Sequence, residues 1–141
     1  MFQYEHKIKY YETDKMGIAH HSNYIRMMEE ARVEWMNSIG WSYKKCEDMG
    51  LASPVLSVNC KYKKATTFDD IIIIKVRLKK YNGLRFTFEY EMLKDNVTVA
   101  VGETEHCFLN AGGKPVIIKK NYPKMDKILN EELISSGITD C

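Results

Sequence analysis

The stretch ETDKMGIAHHSNY, residues 12–24, places an acid, a glycine, two adjacent histidines and an asparagine just ahead of a long helical pattern. Asp14 follows directly on a strand-like segment, and Gly17 lets the backbone turn tightly before the helix begins. A helix N-terminus presents unpaired N–H groups and the positive end of its dipole, so a loop feeding one can hold an oxyanion or a polarised carbonyl. A carboxylate beside such a pocket can act as a nucleophile or as a base toward water. His21, seven residues later, could position a substrate or shuttle a proton. The same residues have plainer uses. Asp14 serves equally as a turn residue capping the loop backbone, and Ser22 or Asn23 as a helix N-cap. Pattern alone leaves both readings open.

Metal binding is the weaker use of this loop. Adjacent histidines such as His20 and His21 usually diverge, whereas two ligands on one helix face want a spacing of three or four. With Asp14 they supply enough donors for one ion, yet the spacing matches no ligand signature, and no metal is expected. His6 and His106 are expected in strands as ordinary, partly buried residues.

The elements that must hold the loop follow from periodicity. Residues 2 to 10 alternate, with Phe2, Tyr4, His6, Ile8 and Tyr10 on one side and Gln3, Glu5, Lys7 and Lys9 on the other, which predicts a strand with one wet face. From Ser22 or Asn23 to Ile39, Tyr24, Met27, Met28, Ala31, Trp35 and Ile39 recur at three- and four-residue spacing, which predicts a helix ended by Gly40. The Glu29 to Arg32 pair, three apart, is suited to an ordinary ion pair on the helix surface.

Beyond Leu51 the period becomes two. Leu56, Val58, Cys60 and Tyr62 predict one strand; Ile72, Ile74, Val76 and Leu78 a second over 71–79; Leu84, Phe86, Phe88, Tyr90 and Met92 a third over 84–92. Asn82-Gly83 between the last two is a hairpin signal, because both residues tolerate positive φ. In a last strand over 97–109, Val97, Val99 and Val101 share a parity with Glu103 and Glu105, so the buried face is expected to change at a bulge near Gly102. Ala111–Pro115 reads as a turn, Val116–Ile118 as a short strand, and Pro123 as the start of a short helix ending before Gly137. One strand, one long helix and four or five antiparallel strands bury their apolar faces most simply if the sheet wraps around the helix, an α+β arrangement.

At 141 residues and 45% hydrophobic, the chain suits one core, and we read 1–141 as a single domain. A net charge of +2, spread in both signs, is too small to identify a nucleic-acid or membrane binder. No stretch approaches a membrane span, and the N-terminus lacks a basic head with an apolar run. Cys46, Cys60, Cys107 and Cys141 form no CxxC pair, so thiols in a reducing cytoplasm are expected.

Residues 10 to 32 carry a specific resemblance: Tyr11-Glu12-Thr13-Asp14, Met16-Gly17-Ile18, His20-His21-Ser22-Asn23-Tyr24 and Glu29-Glu30-Ala31-Arg32. Together they resemble the signature of the 4-hydroxybenzoyl-CoA thioesterase family, nearest its branch of acyl-CoA thioesterases that includes the Tol-Pal-associated enzymes. A weaker likeness runs through CKYKKATTFDD at 60–70 to the glycine turn at 112. The resemblance implies a hotdog fold, an antiparallel sheet around one long helix. It also implies acyl-CoA sites at a subunit interface, in a homodimer or homotetramer. Carried over, Asp14 matches the catalytic carboxylate, as nucleophile or general base. His21 matches the position whose backbone N–H receives the thioester carbonyl and whose imidazole is implicated in this branch. Gly17 matches the glycine that shapes the loop. Glu12 fills the acidic place before the aspartate, and His20 stands where an aromatic residue is common.

The expectation is therefore a cytoplasmic acyl-CoA thioesterase that releases coenzyme A and a carboxylic acid without organic cofactor or metal. The alternatives are a thioesterase acting on acyl carrier protein and a noncatalytic acyl-CoA-binding protein on the same fold. Lys61, Lys63, Lys64, Lys79, Lys80 and Arg85 are candidates for the coenzyme's phosphates, though a solvated strand face explains each of them as well.

Overall fold

The computed structural model describes residues 2–139, so Cys141 lies outside the described residues. Five strands form one antiparallel sheet: β1 (Phe2–Lys7), β2 (Val55–Tyr62), β3 (Ile71–Tyr81), β4 (Phe86–Lys94) and β5 (Val97–His106), ordered β1-β3-β4-β5-β2. Alternation in β3 and β4 places Ile72, Ile74, Val76 and Leu78 beside Phe86, Phe88, Tyr90 and Met92 on one closed face. Helix α1 (Ser22–Ser38) lays Tyr24, Met27, Met28, Ala31, Trp35 and Met36 into that core, where the Trp35 ring meets Phe88 edge-on at 4.9 Å. Each large apolar side chain closed off in this way contributes about 1.5–3 kcal/mol, so the stripe outweighs any single polar contact of the helix.

A second long helix was not expected. Helix α4 (Pro123–Thr139) packs on β3, buries Met125 and Leu129, and accepts the Tyr81 hydroxyl on Asp126. It runs past Gly137 because an interior glycine costs only about 1 kcal/mol against alanine, too little to end a helix already packed upstream. The short helix α2 (Tyr43–Asp48), capped by Ser42 Oγ accepting the Lys45 amide at 3.1 Å, gave no periodic signal in its six residues. Where a strand was expected over 116–118, Pro115 makes a single bridge to Leu109, and Ile118 opens helix α3 (Ile118–Asn121).

Other boundaries differ for local reasons. Strand β1 stops at Lys7, and Tyr10–Glu12 coil into a 3-10 turn. In the β3–β4 connection only Gly83 has positive φ, at 91°. Asn82 contributes its side chain instead, with Oδ1 accepting the amides of Leu84 and Arg85. The register slip in β5 falls between Ala100 and Thr98, making Val99 the extra residue, and Gly102 pairs regularly with Tyr90 and Cys60. Past Val99 the closed face is carried by Ala100, Gly102, Thr104 and His106.

Strand β2 overturns a burial expectation. It is an edge strand, paired only with β5, and Val55, Leu56, Val58 and Tyr62 are all exposed. Arg32 overturns another. It is buried and donates to the hydroxyls of Tyr43 (2.7 Å) and Tyr90 (3.1 Å), not to Glu29. Cys46, Cys60 and Cys107 are free thiols, and no described helix is long and apolar enough to cross a membrane.

Candidate active site

The loop between the 3-10 turn and α1 closes on itself. Thr13 bridges Ala19, the Asp14 amide donates to the Ile18 carbonyl at 2.9 Å, and the Gly17 amide donates to the Asp14 carbonyl at 3.0 Å. Gly17 sits at φ 77° with open space where a Cβ would go, so the backbone angle is what calls for glycine. Ala19 donates to the Thr66 carbonyl at 2.7 Å and Ile18 bridges Thr67, which ties the loop to the segment after β2.

Asp14 does carry the plainer role foreseen for it, since its Oδ1 accepts the Met16 amide at 2.8 Å. Oδ2 has no hydrogen bond among the described residues, so the carboxylate is oriented through one oxygen with the other free. Asp14 and His21 line one cavity of about 370 Å³, together with Tyr24 and Tyr62, and Met16 and Ile18 supply apolar wall. His21 occupies the N-cap position of α1 with helical φ and ψ of −55° and −31°, and its amide meets no acceptor among the described residues. Its carbonyl accepts the Tyr62 hydroxyl and the Tyr24 amide, each at 3.2 Å, which fixes the peptide. Neither Ser22 nor Asn23 is the cap. Asn23 instead sends Nδ2 to the Glu12 carbonyl at 2.8 Å. The two histidine rings do not diverge: their centroids lie 4.2 Å apart, and His20 Nδ1 lies 2.9 Å from Ser22 Oγ.

Tyr24 and Tyr62 were not singled out from sequence. The Tyr24 hydroxyl pairs with Thr66 Oγ1 at 2.8 Å, and Tyr62 packs edge-on against both Tyr24 (5.1 Å) and His21 (6.1 Å). Burial pushes both phenols above the usual tyrosine range. Their parity in a helix and a strand was visible, but the juxtaposition depends on tertiary packing. Of the six candidate cations, Lys63 and Lys64 line this cavity. Lys79 is paired with Glu89 and Glu103, and Arg85 with Glu105.

A larger cavity, about 640 Å³, lies over the polar face of the sheet and takes Lys61 into its wall. Its charges include ion pairs across strands, such as Arg77 with Glu89 at 2.7 Å, and it contains neither a helix start nor a loop carboxylate. The smaller cavity is the one that brings a loop carboxylate to the start of a helix.

Known proteins agree with this fold. The family model of the thioesterase-like superfamily matches residues 8–129. A relative from Aquifex aeolicus, provisionally assigned as an esterase, is 42% identical over 119 residues, covering 84% of this chain and 92% of the relative. A Bacillus subtilis relative, provisionally assigned as an acyl-CoA thioesterase, is 29% identical over 121 residues, covering 84% of this chain and 88% of its own. Among solved structures, the DHNA-CoA thioesterase from Staphylococcus aureus superposes with a TM-score of 0.88 at 30% identity, over 92% of this chain and 88% of that one. The chain belongs to the thioesterase-like superfamily, with its hotdog fold, and is a thioester hydrolase.

Proposed function

We propose that the protein hydrolyses acyl-CoA thioesters at the cavity shared by Asp14 and His21, as a single catalytic domain whose sheet wraps α1. The resemblance of residues 10 to 32 to the 4-hydroxybenzoyl-CoA thioesterase signature supports this reading. The observation that carries the reading is that Asp14, with its carboxylate half engaged, and His21, with its amide unengaged at the start of a helix, line the same cavity.

The thioester carbonyl oxygen accepts the His21 N–H, where the helix dipole favours the negative charge that develops as the carbon becomes tetrahedral. Asp14 Oδ2 either takes a proton from the attacking water or attacks the carbonyl carbon itself to form a mixed anhydride that water then opens. In both routes the C–S bond breaks, the coenzyme leaves as thiolate and takes a proton, and the acyl group leaves as carboxylate. Lys63 and Lys64 at the cavity wall suit the coenzyme's phosphates.

The test is turnover of a panel of acyl-CoA thioesters with free-thiol detection. Asp14→Asn is expected to lower kcat by at least about a hundredfold, roughly 2.7 kcal/mol, with acyl-CoA binding retained. His21→Ala is expected to be milder, because the backbone N–H survives. Near wild-type turnover in Asp14→Asn would sink the carboxylate mechanism. A wild type that binds acyl-CoA but hydrolyses none of the panel would point to the noncatalytic reading, and preference for acyl carrier protein thioesters to the other alternative.

A further inference from the structure

One buried ionic cluster lies outside the cavity and is used by none of the steps above. His6, in β1, is only 6% exposed, and each of its ring nitrogens meets a carboxylate. Nε2 lies 2.9 Å from Glu12 Oε1 and 3.2 Å from Oε2, and Nδ1 lies 3.0 Å from Glu30 Oε2. Glu12 is buried as deeply as the ring and also accepts the Lys9 amide at 2.8 Å. Glu30, on α1 and partly open to water, accepts the Tyr4 hydroxyl at 3.2 Å. Ionised carboxylates only accept, so both contacts are satisfied together only when the ring donates from both nitrogens, as imidazolium.

The backbone of Glu12 gives this cluster its reach. Its carbonyl accepts the His20 amide at 2.8 Å and Asn23 Nδ2 at 2.8 Å. The residue whose side chain His6 holds is therefore the one whose carbonyl gathers the end of the loop and the first turn of α1. Asp14 follows Glu12 by two residues, and His21 follows His20 directly. Through Glu30 the same ring is tied to α1, so strand, 3-10 turn and helix meet at one imidazole.

We propose that His6 is a positioning residue for the Asp14–His21 site. Shared as an imidazolium between Glu12 and Glu30, it holds the Glu12 carbonyl against His20 and Asn23 and so sets where the Asp14 carboxylate stands relative to the His21 amide. The inference rests on the thioester hydrolysis proposed for that site. His6 touches neither substrate nor reacting atoms.

The test uses the full chain with His6→Gln, whose amide cannot donate to carboxylates on both sides, and with Glu30→Gln, a partly exposed change that weakens half of the clamp. For His6→Gln the expected result is a fall in kcat of about ten- to thirtyfold per folded molecule with KM within about twofold, since small misplacement of a reacting group costs turnover before binding. Glu30→Gln is expected to lose about threefold, and His6→Gln added to Asp14→Asn nothing further. In parallel, ¹⁵N spectra are expected to show both nitrogens of His6 protonated, and the His20 and His21 amide resonances to move in His6→Gln. A variant with a lowered melting midpoint, unchanged kcat and unmoved amides would overturn the proposal and leave His6 as a purely stabilising pair. If the wild type hydrolyses no thioester, the reading of the site fails by itself. The His20 and His21 resonances still decide the positioning role: shifts confined to the neighbourhood of residue 6 would overturn it.

Discussion

Asp14 and His106 show opposite fates for titratable residues, one in a loop crowded with ionisable neighbours and one expected as an ordinary, partly buried strand histidine. Asp14 stays accessible: its loop engages one carboxylate oxygen with its own backbone, and the residue lines the cavity. His106 is fully buried, stacked on Phe86 with centroids 5.5 Å apart and edge-on to Phe88 at 5.6 Å. Its Nε2 lies 2.7 Å from Thr104 Oγ1, which pairs in turn with the Tyr90 hydroxyl that accepts from Arg32. Burial first, and the Arg32 charge second, push the imidazole down to about 3. An unfolded histidine takes up its proton near pH 6.5, whereas the folded one stays neutral until about pH 3, so stability is lost as pH falls through that window. By pH 4.5 the loss from this residue is expected to be about 3 kcal/mol. Urea midpoints at pH 7.5 and 4.5, compared between wild type and His106→Phe, isolate it. An equal drop in both proteins would show that the acid sensitivity lies elsewhere. The sequence showed a histidine at strand parity here; its complete burial depends on Phe86 and Phe88 of the neighbouring strand closing over it, which no spacing reveals.

Strands β3 and β4 were legible because over 72–78 and 88–92 each of their faces keeps one environment, so alternation maps directly onto burial. The later elements were harder because tertiary packing overrides local pattern. Val99 is inserted where β5 turns over, so the parity that made Gly102 look like the bulge had already changed three residues earlier. Gly102 serves a different purpose. A Cβ there would stand 2.7 Å from the Asn59 carbonyl oxygen of β2 and 2.8 Å from Met28 Sδ of α1. The methionine can swing away but the strand carbonyl cannot, so Gly102→Ala must push β2 and β5 apart. The expected cost is about 1–3 kcal/mol of unfolding free energy, the range for overpacking a closed interior, read from urea denaturation. Unchanged stability would mean that the helix and the two strands do not meet as tightly as these distances say.

At the scale of the whole molecule the sheet has two edges, β1 and β2, and they are unlike. On β2, Val55, Leu56, Val58 and Tyr62 stand exposed beside unpaired backbone, where a solvent edge normally carries charge or proline as protection. The two-residue period there was read correctly, but the face it marked is not closed by this chain, and a second copy paired along β2 is the occupant that the resemblance leads one to expect. We therefore expect a homodimer or higher homo-oligomer at micromolar concentration. Val58→Lys places a charge on that edge without touching the core, and light scattering is expected to show it shifted toward the 16.5 kDa monomer. Catalysis should fall with assembly. Tyr62, at the end of the same strand, bonds the His21 carbonyl, and Lys63 and Lys64 follow it into the cavity wall, so whatever orders β2 also orders that side of the site. A monomeric Val58→Lys protein with wild-type turnover would separate the two and place the complete site within one chain. A monomer whose activity returns at concentrations that restore the oligomer would tie the chemistry to the pairing of β2.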